Sequence, residues 1–293
     1  MSAADIDTSG IQLRSRSRRA LRAALGNPLA MVGTAGCCIL LLLACFGPWL
    51  APYDPLAQRM LSRFAASSAS HWLGADEYGR DMLSRLLYAS RASIIISLAS
   101  VIAGIAIGVA IGIVSAYRGG LVDAVVSEIA NMLLAFPTVV VGILVLVALG
   151  PGAQNVVIAL ALSFIPRFIR LARAETLAVK ERPFVEAARV TGATDWQIMT
   201  RHILPNVIGT AIVSGALWTA TALRAEATLS FLGLGVQLPF PSWGNLISDG
   251  MPYIFSNPEL VVYPCLAIVF AVVSFNILGD ALRDYFDPHS GHH

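Results

Sequence analysis

The sequence predicts an all-α integral membrane protein with six transmembrane helices. Three observations carry that prediction. Of the 293 residues 56% are hydrophobic and only 13% are charged, with a mean hydropathy of +0.71, whereas a soluble domain carries about 25% charge. The apolar residues gather into runs of about 20 residues, the length a helix needs to cross a ~30 Å hydrocarbon layer. The arginines are clustered in alternate connecting segments, as loops on one side of a membrane require.

Residues 1–28 form a basic tail with Arg14, Arg16, Arg18, Arg19 and Arg22, closed by Gly26-Asn27-Pro28. The apolar run 29–50 is too long for the core of a cleaved signal peptide and suits an uncleaved first span. Residues 51–92 are polar. Within them, Met82, Leu83, Leu86 and Leu87 recur at helical spacing while Asp81 and Arg85 lie elsewhere on the wheel, which predicts an amphipathic interfacial helix over 80–91.

The second span covers about 94–117. Gly104, Gly108 and Gly112 recur every four residues and therefore share one face. Such a face lets helix backbones approach closely, either within the chain or at a subunit or gate contact. Arg118-Gly119-Gly120 turns the chain into a third span at about 125–149, where Pro137 predicts a kink. The fourth span, about 153–171, holds Pro166 and ends in Arg167, Arg170 and Arg173.

The fifth span runs from about 207 to 229 and contains Arg224 and Glu226. A charge inside a span is a functional candidate. Arg224, however, lies about 26 Å along the helix at ~1.5 Å per residue, which favours a position at the far interface, where its long side chain reaches water. Residues two apart also point to different faces, so an Arg224–Glu226 pair is poor geometry. By this count no span carries a charge at its centre. A Gly/Pro-rich loop at 229–245 leads to the sixth span at about 259–278. A tail at 283–293 ends in His289, His292 and His293, read as a frayed end rather than a metal site.

Between the fourth and fifth spans lies the most patterned polar stretch, residues 170–206. Pro183 fits the first turn of a helix, where its missing N–H costs nothing. Glu186 is well placed in the helix dipole, and Gly192 supplies the left-handed residue that ends the helix. Thr194 and Gln197 form a capping box for a second short helix, which Pro205 is expected to stop. Ala187 and Ala188 leave a small-residue face that a larger partner can approach. From local pattern alone, an ordinary amphipathic linker is the favoured reading of the stretch.

Sidedness follows from charge. Segments 1–28, 118–123, 167–206 and 279–293 together hold 14 of the 20 Lys and Arg residues. Both termini and the 170–206 stretch are therefore expected in the cytoplasm. No basic patch interleaved with aromatics points to nucleic acid. The single lysine, Lys180, follows Val179, so no phosphate-binding Gly-Lys-Ser/Thr loop is present. Cys37, Cys38, Cys45 and Cys265 all lie in apolar runs and have no metal-ligand spacing. No acid/base pair, Ser/Lys dyad or HExxH motif supports an intramembrane enzyme. An ion-coupled transporter would be expected to show mid-span charges and paired broken helices.

Glu186-Ala187-Ala188, then Gly192, then Pro205 resembles the "EAA" loop of permease subunits in binding-protein-dependent ABC importers. The segment His71-Trp-Leu-Gly-Ala-Asp76-Glu-Tyr-Gly-Arg80-Asp81, the sequence His202-Ile-Leu-Pro-Asn and the 229–245 loop are similar to those of C-type subunits of dipeptide, oligopeptide and nickel importers. The resemblance covers about 28–288 and implies a type I ABC importer permease fold. Its parts are an extra first helix, an extracytoplasmic segment at 51–92 and a five-helix core at 93–282 with a cytoplasmic coupling loop at 172–206. It also implies a homologous B-type permease, two ATPase domains that bind ATP and Mg, an extracytoplasmic solute-binding protein and a peptide substrate. Nickel complexes and haem are alternative cargoes. No cofactor is expected on this chain.

Overall fold

The computed structural model describes residues 28–286. The predicted basic tail and the terminal histidines fall outside them. Every element among the described residues is helical. Five helices are long and apolar enough to cross a membrane, and a bent pair makes up to six spans.

Helix α1 (Pro28–Leu50) packs beside the last helix, α10 (Glu259–Phe286). The approach is close: a Cβ at Gly33 would lie 2.5 Å from Ile277, and one at Gly36 would lie 2.2 Å from Ser274 Oγ. Helix α2 (Met82–Arg118) is the longest, at 37 residues. The expected interfacial helix is therefore the first part of this one rod. No Gly or Pro interrupts residues 82–103, so nothing in the backbone stops it. Its polar face is also not interfacial. Asp81 and Arg85 are 3% and 2% exposed and belong to a buried ionic network.

The third span is not a kinked rod but two helices, α3 (Gly120–Leu134) and α4 (Thr138–Leu149), set at 94°. Pro137 has no N–H, and its ring disfavours helical backbone at Phe136. The chain leaves the helix there and starts another. Helix α5 (Ala153–Lys180) runs through Pro166 without a break. It packs along α2, whose Gly104, Gly108 and Gly112 all face it. Added Cβ atoms there would lie 2.9 Å from Phe164 Cβ, 2.6 Å from the Ile165 oxygen and 2.7 Å from the Ile169 oxygen. Arg173 of α5 donates through Nε and Nη2 to both carboxylate oxygens of Asp123, each at 2.7 Å, which ties α3 to α5.

Helix α6 (Pro183–Val190) and the short helix α7 (Asp195–Gln197) follow. A π turn (Ile198–Ile203) then joins α7 to the long α8 (Leu204–Phe231). Pro205 therefore lies in the first turn of α8 and does not stop the helix before it. Proline cannot donate to the carbonyl four residues back, and its ring crowds that carbonyl. The chain widens by one residue, so that Leu204 N–H bonds to Met199 oxygen, and the rod continues. Helix α9 (Trp243–Gly250) closes the chain against α8 and α10.

Two apolar clusters fill the bundle. One joins α2, α5 and α8 to Val185 and Ile198 of the 183–203 segment. The other joins α1, α2, α8, α9 and α10.

Candidate functional site: a short helical segment at one end of the bundle

The Glu-Ala-Ala segment is built by local chemistry and then seated by a few aliphatic side chains. Arg182 precedes Pro183, which occupies the first helical turn of α6 with Glu186. Gly192 takes φ +86°. The helix end is satisfied by Gly192 N–H to Arg189 oxygen at 3.1 Å and Ala193 N–H to Ala188 oxygen at 3.0 Å. Thr194 then caps α7. Gln197 N–H donates to Thr194 Oγ1 at 3.3 Å, and Thr194 N–H donates to Gln197 Oε1 at 2.9 Å.

Seating comes from residues that the polar reading of this stretch did not single out. Val185, Ile198 and Ile203 are fully buried and continue the apolar cluster of the long helices. Their spacing crosses two helix breaks, so no single periodicity reveals them. Tyr117, near the end of α2, donates its hydroxyl to Asp195 Oδ1 at 2.8 Å. The Tyr117 hydroxyl beside Arg189 also holds that guanidinium above its ordinary value, with the Asp195 and Glu181 charges adding to the effect.

The outer face is left open. Glu186 and Ala187 are exposed and Ala188 is half-buried. Phe184, Val190 and Trp196 are exposed around them. A Cβ added at Gly192 would meet no atom within 4 Å, and Pro205 is exposed on α8. The Glu-Ala-Ala face, Gly192 and Pro205 thus lie along one segment, 183–205, with an exposed outer face. Among the described residues no group of three or more His, Cys, Asp or Glu is arranged to hold a metal.

At the opposite end of α2 the charged residues of 71–85 come together. Asp76 accepts from Arg80 Nε at 2.6 Å and also from Arg85 Nη1. Arg85 reaches on to Asp249 Oδ2 at 3.1 Å, and Arg80 donates to Glu77 at 3.0 Å. Burial pushes the Glu77 carboxyl above its usual value, against the pull of Arg85 and Arg80. Asp81 caps α2 through Ser84 N–H at 2.8 Å and accepts from His71 Nδ1 at 2.9 Å. Of the two charges in the fifth span, one departs from expectation. Glu226 is wholly buried rather than interfacial, with Ser230 Oγ donating to it at 2.7 Å. Arg224 is exposed, bonds to Thr221 and makes no pair with Glu226.

The described residues thus form a bundle of long apolar helices with a two-helix segment seated at one end. Residues 108–291 match the family described as binding-protein-dependent transport system inner membrane component. Residues 15–66 match the N-terminal transmembrane domain of oligopeptide transport permease C. The chain is 37% identical over 266 residues to a probable D,D-dipeptide transport system permease protein DdpC of Escherichia coli K12, covering 91% of this chain and 89% of that one. It is 36% identical to a dipeptide transport system permease protein DppC of Alkalihalophilus pseudofirmus, with 92% and 89% covered. A glutathione transport system permease protein GsiD of Pectobacterium atrosepticum is 39% identical, with 87% and 85% covered. A solved structure of the MetNI methionine ABC transporter in inward-facing conformations shares the fold, with a TM-score of 0.57 at 20% identity over 70% of this chain and 98% of that one. The chain therefore belongs to the inner-membrane permease family of binding-protein-dependent ABC importers, in its C-type branch with the added N-terminal helix.

Proposed function

We propose that this chain is one half of the membrane pathway of a peptide importer. It carries no catalytic site of its own, and residues 183–205 are the handle through which separate ATPase subunits drive it. The observation that carries this reading is the exposed Glu186-Ala187 face on a short helix that opens on Pro183, ends at Gly192 and is seated by Val185, Ile198 and Ile203. ATP and Mg are bound by the ATPases, which meet this face in the cytoplasm. A homologous B-type permease completes the pathway, and a solute-binding protein delivers cargo from outside. The cargoes for which the similar permeases are named, dipeptides and glutathione, favour short peptides over nickel complexes or haem.

ATP-driven closure of the ATPases would move α6 and α7 together. The 37-residue rod from Asp195 to Phe231 transmits that motion into the membrane, because the π turn keeps it continuous. The test is cross-linking in the assembled transporter. Ala187→Cys should cross-link to a cysteine on the ATPase surface, and the yield should change with ATP. Accessibility of residue 187 only from outside the cell would overturn the reading.

A further inference from the structure

Arg167 has no part in that segment. It lies midway along α5 (Ala153–Lys180), about 20 Å from either helix end at ~1.5 Å per residue. The helix is long and apolar enough to cross a membrane, and an ionised side chain within such a helix is expensive and marks a functional site by default. The residues on either side, Pro166 and Phe168, are buried.

The guanidinium is held in place by neutral groups. Its carbon lies 4.5 Å from the ring centroid of Trp218, itself midway along α8, and 5.3 Å from that of Phe164. Nη1 donates to the Ser163 carbonyl oxygen and Nη2 donates to Thr138 Oγ1, each at 3.0 Å. Among the described residues no carboxylate comes within 4.0 Å of it. Arg80, Arg85 and Arg173 differ in this respect, since each makes an ion pair.

Thr138 is the first residue of α4, directly after the break in the third span. Phe136 and Pro137 at that break are exposed. The start of α4 adds partial positive charge: it has no side-chain cap and no acidic residue in its first turn. A guanidinium with no carboxylate partner among the described residues therefore sits beside the exposed break between α3 and α4, packed on two aromatic rings and donating to Thr138. A guanidinium presents five donors in a fixed fork that matches a carboxylate. Two of its contacts here are with uncharged oxygens.

We propose that Arg167 binds a carboxylate of the transported peptide as it passes the break between α3 and α4. The assignment rests on the peptide-importer reading above. The ligand class is a short peptide with a free carboxyl terminus, and the interaction is a charge-assisted hydrogen bond.

The test uses the whole transporter: this chain, its partner permease and the ATPases. Equilibrium dialysis of the complex without its binding protein compares dialanine with dialanine amide. The wild-type complex should hold the acid about 10-fold more tightly than the amide, as a charge-assisted bond requires. Arg167→Gln should remove the preference, and Arg167→Lys, which keeps the charge, should restore part of it. In proteoliposomes supplied with the binding protein, Arg167→Gln should slow dialanine uptake about 10-fold while ATP hydrolysis continues. Assembly with the ATPases and an unchanged unfolding temperature establish that the variant is folded. If wild type holds acid and amide alike, as it would were a carboxylate of the partner permease already on Arg167, the proposal is overturned. It is equally overturned if Arg167→Gln binds and transports as wild type does. A wild-type complex that imports no peptide at all overturns the importer reading itself, and this assignment with it.

Discussion

At one end of α2, residues 71–85 are tied down by buried charge: Asp76 between Arg80 and Arg85, Arg85 onward to Asp249, and Asp81 between His71 and Ser84. At the other end, residues 183–203 are seated mainly by Val185, Ile198 and Ile203, with a single uncharged donor, the Tyr117 hydroxyl, reaching Asp195 from α2, and otherwise hold themselves in shape through their own caps. The contrast is one of direction. Ion pairs and their hydrogen bonds fix distance and angle, so a segment held by them has one position. Aliphatic contacts are non-directional, so a segment seated by them can keep its internal form while its position shifts. The first arrangement suits an anchor and the second suits a handle. Local rigidity with loose seating lets a docked partner move two short helices as one body.

The largest effect that would sharpen this comparison lies at the anchored end. Arg85 is 2% exposed and bridges Asp76, 9 residues away in sequence, to Asp249, 164 residues away. Arg85→Met leaves Asp249 without its closest ion-pair partner and Asp76 with Arg80 alone. Removing one member of a buried network costs about 3–5 kcal/mol. We expect a clear fall in unfolding temperature in detergent and a lower yield of assembled transporter. An unchanged unfolding temperature would mean that the network does not anchor this end.

Gly192 tests the handle. Its φ of +86° is left-handed, and an added Cβ meets nothing within 4 Å. A substitution there acts through backbone strain alone. Gly192→Val strains the joint between α6 and α7 by about 1–3 kcal/mol, whereas Gly192→Asn is tolerated because asparagine visits this region more readily. Uptake should drop with valine while ATP hydrolysis persists, and asparagine should restore it. Normal peptide uptake by Gly192→Val would count against a handle whose shape depends on this position.

The sequence made legible what depends on neighbours along the chain. Gly192 as a helix end and the Thr194–Gln197 capping box are contained within a few residues, and the structure has both. The apolar runs gave the spans because a helix of about 20 residues is the only local way to satisfy a backbone in lipid. What stayed hidden depends on long-range contact or on how a proline is absorbed. Pro205 reads as a stop, yet a π turn carries the helix past it. Pro137 reads as a kink, yet the span breaks at 94°. Arg85 reads as a solvated face because Asp249 is far away in sequence. Arg167 reads as one more charge at the end of a span because Trp218, on which it packs, is likewise distant in sequence.

The smallest expected effect is the most specific. Thr194 contributes only its cap: its side chain accepts from Gln197 N–H, and its own N–H is satisfied by Gln197 Oε1. Thr194→Ala removes the first bond and costs about 1 kcal/mol, whereas Thr194→Ser keeps the hydroxyl and costs little. Because α7 passes through the π turn into the fully buried Ile203 and on into α8, its C-terminal side stays fixed. The loss should therefore appear as fraying of residues 193–197 and not as unfolding of the bundle. Amide hydrogen exchange of the assembled transporter should show faster exchange confined to this turn, with the unfolding temperature unchanged. If fraying there lowers uptake in step with exchange, the internal stiffness of the handle matters to transport. If exchange rises and uptake stays level, the seat formed by Val185, Ile198 and Ile203 suffices, and the contrast between the two ends lies in their anchoring alone.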